Sequence, residues 1–288
     1  MSVQEVPIRG GRIEVLHLPG GPGVPLLVLG GVETGLRRLT GTEHVLEKRW
    51  ARRAERRPVV VVGRPLQDDD GEVDRLMHPR VIADAVATAI GAVADGGGPQ
   101  PPYAVEAESG GGRISLWLTV DHPELVTRLV LSSVASETRP DSAMAGRMSQ
   151  WIELAENDDW GMFFGHMAHV MRPGEGSGGA GSGGAGSFDA AARLQPRPAT
   201  PERFVAELKA TLDPSSFVTD RLGEISVPAL VLAGERDQVV PPEATRLVAE
   251  RLPNARFVSD PECGHTVRSS FEGYHALVEA FLAEGDDG

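Results

Sequence analysis

One cysteine, Cys263, is all that this chain of 288 residues carries. No intrachain disulfide can form, and nothing in the thiol content points to an oxidising compartment. Long apolar runs are missing too, since none approaches the roughly 18–20 residues that span a bilayer. The opening MSVQEVPIRG does not have the basic-then-apolar layout of a secretion signal. The expectation is a soluble, cytoplasmic protein with no membrane partner. Positive charge is in deficit: 28 Lys and Arg stand against 41 Asp and Glu, a formal net charge of −13. That balance argues against a nucleic-acid partner, because phosphate backbones reward an excess of Lys and Arg. It does not identify a cationic substrate, since acidic surfaces commonly serve solubility. What remains is ordinary globular material, 41% hydrophobic and 24% charged. The length suits one large α/β domain or two small ones with a sizeable core.

Short apolar runs alternate with longer helix-like segments, the pattern of a mostly parallel sheet covered on both faces. Candidate strands are Pro25 to Leu29, Pro58 to Val62, Tyr103 to Ala107, Leu129 to Leu131, Ala229 to Ala233 and Arg256 to Ser259. Glu5 to Ile8 and Arg12 to His17, split by Gly10-Gly11, read as a hairpin. Amphipathic spacing predicts helices over Glu43 to Arg56, Arg80 to Ala94, Pro242 to Leu252 and Ser269 to Ala283.

The alternation breaks between Glu137 and Leu222, where the sequence is helical and offers no convincing strand. Helices inserted there read as a lid over the strands' carboxyl ends, where open α/β sheets bind ligands. The expected division is therefore a core of residues 1–136 and 223–288 with a helical insertion, 137–222. Inside it lies GEGSGGAGSGGAGS, Gly174 to Ser187. Such a tract cannot bury apolar area to offset its ordering entropy, so a flexible coil is expected. The near-repeat of GSGGA is open to two readings, a designed linker in place of a native lid segment or a naturally Gly-rich loop.

The richest stretch is YAVEAESGGGRISLWLTV, Tyr103 to Val120. A strand runs into Glu108-Ser109-Gly110-Gly111-Gly112, and a helical pattern follows with Ile114, Trp117 and Leu118 on one face. A sharp strand-to-helix turn holds its central residue in strained geometry and lifts the side chain out of the fold. Small neighbours are required, and Ala107 and Gly111 supply them. Ser109 is thus a candidate nucleophile, in need of a base held by an acid. Asp237 follows the strand Ala229 to Ala233, with Pro241-Pro242 stiffening the entry to the next helix. His265 follows the last strand in PECGH.

Four pieces, taken in order, carry a family resemblance: the strand-turn-helix stretch, DHPELVTRLVL (Asp121 to Leu131), VPALVLAGERDQVVPP and ECGH. Together they resemble the α/β-hydrolase fold superfamily of serine esterases and hydrolases from Arg12 onward. The order Ser109, Asp237, His265 is that of its triad. The resemblance implies a mostly parallel eight-stranded sheet with helices on both faces and an inserted lid. It implies attack by Ser109 on a small carboxylic ester or related acyl substrate, with His265 shuttling the proton and Asp237 orienting it. Gly110 and Val32 would give the two oxyanion N–H donors. No metal or organic cofactor is implied. The same constellation also serves lyases, thioesterases, perhydrolases and carbon–carbon bond hydrolases, and a non-catalytic small-molecule binder is the rival from another class. Oligomeric state is left open. Three departures stand out. Ala107 replaces the usual elbow glycine, Gly30 the usual histidine of the oxyanion loop, and the loop expected after Val62, GRPLQDDDGE, does not follow the family's pattern.

Other chemistry-bearing residues have plainer readings. Glu235 and Asp260 compete with Asp237, and His17, His44, His78, His122, His166, His169 and His275 compete with His265. His166 and His169 lie one turn apart, but no third ligand accompanies them. Met162, Phe163, Phe164, Met167 and Met171 read as the buried face of the lid, favouring an apolar acyl or alkyl group where they face a pocket. Glu108 reads as a surface carboxylate or a partner of nearby backbone, Asp68-Asp69-Asp70 as a solvated loop, and Cys263 as packing.

Overall fold

Successive side chains of a strand point to opposite faces of its sheet, so strands apolar at every position need cover on both sides. A computed structural model describes residues 3–32, 36, 43–67, 73–171 and 200–284, with residues 43–48 described as backbone alone. The tract Gly174 to Ser187 and the run Asp68-Asp69-Asp70 lie outside the described residues. In chain order the strands are β1 (Gln4–Ile8), β2 (Gly11–Leu18), β3 (Leu26–Leu29), β4 (Val59–Gln67), β5 (Tyr103–Glu108), β6 (Val126–Ser132), β7 (Ala229–Gly234) and β8 (Ala255–Asp260). The helices are α1 (Glu43–Ala54), α2 (Val73–Leu76), α3 (Pro79–Asp95), α4 (Gly110–Asp121), α5 (Ala143–Glu156), α6 (Trp160–Met171), α7 (Pro201–Leu212), α8 (Pro242–Arg251), α9 (Val267–Ser270) and α10 (Tyr274–Ala283).

The eight strands form one sheet in the order β1-β2-β4-β3-β5-β6-β7-β8. β1 pairs antiparallel with β2, and β2 antiparallel with β4. From β4 onward every neighbouring pair is parallel. Leu27, Leu29, Val105 and Leu131 pack on Ile82 and Val86 of α3 and on Ile114 of α4. Leu26, Val28, Val130 and Leu230 face the other way, against Trp50 of α1 and Val278 and Phe281 of α10. The chain goes from β3 outward to β4, then returns to place β5 on the other flank of β3. That reversal opens a crevice at the carboxyl ends of β3 and β5, the usual ligand position in such sheets.

Between β6 and β7, α5, α6 and α7 build a cluster of their own around Met148, Trp151, Phe163 and Phe204, and it reaches Val239 and Val240 after β7. Among the described residues no strand interrupts this stretch, and no helix is long and apolar enough to cross a membrane.

Three sequence expectations need correction. The strand expected to stop at Val62 runs to Gln67, because Pro65 to Gln67 of the expected loop extend the ladder with β2 past a register shift. Ser269 to Ala283 is not one helix. Gly273, at φ 81°, adopts left-handed backbone between α9 and α10, a conformation that favours glycine. In α4 the buried set is wider than one face. Arg113, Ser115, Leu116 and Thr119 are buried along with Ile114, Trp117 and Leu118, because the sheet, α3 and the β6–β7 insertion enclose the helix.

Candidate active site

Ser109 joins β5 to α4 with φ 52° and ψ −124°, a region that a non-glycine residue rarely adopts. The chain turns this sharply because Ser109 N–H donates to the Ser132 carbonyl at 3.0 Å, while Gly112 N–H donates to the Ser109 carbonyl at 2.9 Å. The turn also packs directly on the end of β3. A Cβ on Gly111 would lie closer than 3.0 Å to the carbonyl oxygens of both Leu29 and Gly30. The small residue expected two positions after the serine is therefore required by backbone contact.

The loops after β7 and β8 bring the two partners expected from the sequence to this hydroxyl. His265 Nε2 lies 3.0 Å from Ser109 Oγ, and His265 Nδ1 lies 2.9 Å from Asp237 Oδ2. The other carboxylate oxygen of Asp237 accepts the backbone N–H groups of Val239, at 2.8 Å, and Val240, at 2.9 Å. The side chains of His265 and Asp237 are 6% and 1% exposed, so this chain of contacts is shielded from water. A carboxylate can only accept. The imidazole proton therefore sits on Nδ1, and the Nε2 lone pair faces the serine. Ser133 Oγ donates to the His265 carbonyl at 3.1 Å and steadies the loop.

The turn Gly30-Gly31-Val32 lies on the same side. A Cβ built on Gly31 would sit 3.6 Å from Ser109 Cβ. Val32 and Ser109 line one cavity, and Gly110 opens α4, where the first N–H groups of a helix have no intrahelical acceptor. Arg64 holds the turn from behind. Its Nη2 donates to the carbonyls of Gly30, at 3.1 Å, and Gly31, at 2.6 Å, while Nε donates to Glu207 of α7 at 2.6 Å. Those carbonyls point toward Arg64.

The cavity beside Ser109 measures about 630 Å³. Trp151 of α5, Met167 and Met171 of α6 and Phe204 of α7 form its apolar wall, and Arg49, Glu108, Arg268 and His275 form a polar end. A second pocket on the other side of Ser109 is walled by Met144, Met148, Leu208 and Val240. Arg113 fixes the insertion to the elbow helix, donating to the carbonyls of Ala135 and Thr211 and to Ser216 Oγ and Thr138 Oγ1. Burial lowers the Arg113 pKa to about 10, with Glu137 opposing the shift.

The sequence pattern of the alpha/beta hydrolase fold matches residues 70–267. The chain belongs to that family. A pimeloyl-[acyl-carrier protein] methyl ester esterase of Nitrosomonas europaea is 28% identical over 176 residues, covering 59% of this chain and 66% of that one. A 2-hydroxymuconate semialdehyde hydrolase of Pseudomonas putida is 30% identical over 192 residues, 63% of each chain. The α/β-hydrolase chain thus spans just under two thirds of either relative. Among solved structures, the esterase RhEst1 from Rhodococcus sp. ECU1013 superposes with a TM-score of 0.72 at 19% identity, over 99% of this chain and all of that one. A thermophilic esterase from Thermogutta terrifontis gives 0.69 at 18%, again over 99% of this chain. At such identities the likeness is one of fold.

The remaining candidates of this hydrolase-fold chain fall elsewhere. Glu235 pairs loosely with Arg246 at 3.5 Å, and Asp260 accepts the backbone N–H groups of Glu262 and Cys263. His78 meets Ser215 at 3.2 Å, and His122 meets Asp84 at 2.9 Å. His166 Nδ1 accepts from the Trp151 indole at 3.1 Å, while His169 is exposed. Among the described residues no three His, Cys, Asp and Glu side chains gather to hold a metal. Phe163 is buried as expected, whereas Met162 is 47% exposed and is corrected to a surface residue. Glu108 meets the Arg49 guanidinium at 3.3 Å rather than backbone.

Sequence reasoning passed over the charges beneath the site. Glu106, fully enclosed in β5, accepts from Arg53 Nε and from the Tyr274 hydroxyl, each at 3.1 Å, and lies 3.6 Å from Arg268. Arg53 also binds Glu279. Burial pushes the Glu106 carboxyl up, but Arg268, Arg53 and the Tyr274 hydroxyl outweigh it and hold its pKa below the usual value. The available signal was a charge inside an otherwise apolar strand, YAVEAE, and likewise Arg64 in VVVVGRPLQ. Charged residues are fully buried almost only when paired.

Proposed function

We propose that this chain is a serine hydrolase that cleaves a small carboxylic ester, or a related acyl compound, through an acyl-enzyme on Ser109. One observation carries the reading, the continuous hydrogen-bonded series from Ser109 Oγ through His265 to Asp237 Oδ2. Ser109 Oγ attacks the acyl carbon as His265 Nε2 takes the hydroxyl proton, and the carbonyl π pair moves onto its oxygen. The backbone N–H groups of Gly110 and Val32 stabilise that oxyanion. Collapse re-forms the carbonyl and breaks the ester C–O bond, and the imidazolium returns its proton to the departing alkoxide. Water then repeats the sequence against the acyl-enzyme and releases the acid. Asp237 stays ionised and stabilises the imidazolium throughout.

Helices α5, α6 and α7 act as a lid over the sheet's carboxyl edge, and their apolar wall takes the acyl or alkyl chain. The names of the relatives, a methyl ester esterase and a semialdehyde hydrolase, support an acyl-transfer reaction and leave the leaving group open. The test is a turnover screen of p-nitrophenyl esters of increasing acyl length beside thioesters and lactones. Ester cleavage with Ser109-dependent rates is expected. Ester cleavage surviving in Ser109→Ala would overturn the proposal.

A further inference from the structure

The cavity beside Ser109 is apolar on one wall and charged at the other end, where Arg49, paired with Glu108 at 3.3 Å, lies beside Arg268. Arg268 lies one turn beyond His265 and lines the cavity with Arg49, Ser269 and His275. Its side chain is 10% exposed. The central carbon of the guanidinium lies 3.6 Å from the Trp50 ring centroid, within cation–π reach.

Its one ionic contact among the described residues is Glu106 at 3.6 Å, beyond normal hydrogen-bond reach. Glu106 is itself already occupied, since it takes hydrogen bonds from Arg53 and Tyr274. One carboxylate therefore serves two guanidiniums, and Arg53 has the better share. Arg268 thus presents a planar row of N–H donors, nine-tenths removed from water, to the cavity that holds the serine. A desolvated guanidinium in this state costs free energy until an anion meets it, and its fork geometry matches a carboxylate. Burial lowers its pKa and Arg49 lowers it further, while Glu106 opposes both. Two guanidiniums, Arg49 and Arg268, thus share this end of the cavity with one carboxylate, Glu108, which Arg49 meets. His275 beside it has its pKa lowered by burial and by Arg53 and Arg268, which favours its neutral form.

We infer that Arg268, assisted by Arg49, is a specificity determinant that binds a carboxylate carried by the acyl substrate away from the bond cleaved at Ser109. The preferred substrates are then half-esters of dicarboxylic acids or related acidic acyl compounds. The inference rests on the reading of Ser109 as nucleophile, but binding can be measured without turnover. Ser109→Ala protein is titrated calorimetrically with monomethyl succinate, glutarate and adipate, and with the matching uncharged dimethyl esters. At least one monoanion is expected to bind about tenfold more tightly than its diester, the scale of a charge-assisted hydrogen bond. Arg268→Gln in the Ser109→Ala background is expected to abolish that preference, and Arg268→Lys to retain part of it. Far-ultraviolet circular dichroism of Arg268→Gln, expected to match the parent spectrum, separates lost recognition from lost fold. Equal affinity for monoanion and diester, or a preference that survives Arg268→Gln, overturns the inference. Should Arg268→Gln not fold, equal affinities in the Ser109→Ala chain overturn it without that variant. A tight monoanion with no ester turnover in the parent chain would instead uphold the carboxylate site and defeat the hydrolase reading.

Discussion

Arg64 Nε lies 2.6 Å from Glu207 Oε1, joining β4 to α7 across 143 positions of the chain. The same guanidinium holds the carbonyls of Gly30 and Gly31. The turn beside Ser109 and helix α7 of the β6–β7 insertion therefore share one buried anchor. Gly30 has no side chain to hold this turn, and the guanidinium of the neighbouring strand supplies the hold.

Both members of the pair are buried, Arg64 at 0% and Glu207 at 7% side-chain exposure. Removing either partner breaks a buried ion pair, at a cost of about 3–5 kcal/mol. Arg64→Met and Glu207→Gln should each lower stability on that scale in urea denaturation. The double variant should lose clearly less than the sum. Additive losses would mean that the two side chains are not coupled.

Two glycines should respond in opposite directions to alanine. At Gly111 a methyl group would meet backbone oxygen on two residues of β3 and its turn, neither of which can swing aside. Gly111→Ala should leave little soluble folded protein, and any that folds should have a displaced Ser109. Gly146 is exposed in the interior of α5, and nothing lies within 4 Å of a Cβ built there. Gly146→Ala should stabilise by about 0.5–1 kcal/mol through helix propensity. Circular dichroism melts of the two variants check both directions.

Glu106 makes stability pH-dependent. Its folded pKa is lowered from the usual 4.5, so its contribution is fully present above that value and is lost as pH falls through the lower folded value. Glu106→Gln should therefore be much less stable than the parent near neutral pH, with a gap that narrows as pH drops below 4.5. Urea midpoints across that range give the answer. A constant gap would assign Glu106 a purely steric role.

Substitution of the two partners of Ser109 should act on turnover and spare the fold. Asp237→Asn loses the acceptor that fixes the imidazole tautomer, and His265→Ala loses the base. Each should lower kcat by a factor on the order of 10³–10⁴ with an unchanged melting curve. Ester kinetics at saturating substrate test this, and an unchanged kcat in either variant would remove that residue from the mechanism.

Much of the fold was open to reading because its strands are short apolar runs with small or turn-forming residues at their ends. Tyr103 to Ala107 and Ala229 to Ala233 came within a residue of β5 and β7. Ser109, Asp237 and His265 could be placed because each follows such a run, and the sheet then gathers strand ends that are far apart in sequence. Gly273 escaped notice because a left-handed glycine between two helical patterns leaves the apolar spacing intact. β4 continued past Val62 because pairing with β2, a tertiary contact, overrides the local Gly-Arg-Pro signal. The buried Arg64, Glu207, Glu106 and Arg268 were missed for a related reason. A charge declares itself buried only through its partner, and each partner lies on a different element.

Acyl transfer as proposed requires Ser109 to be an activated nucleophile. Treating the native chain with a fluorophosphonate probe and mapping the adduct by peptide mass spectrometry addresses that directly. Stoichiometric labelling at Ser109 is expected, greatly slowed in His265→Ala and absent after denaturation before treatment. A folded chain that leaves Ser109 unlabelled, or carries the adduct on another residue, would contradict it.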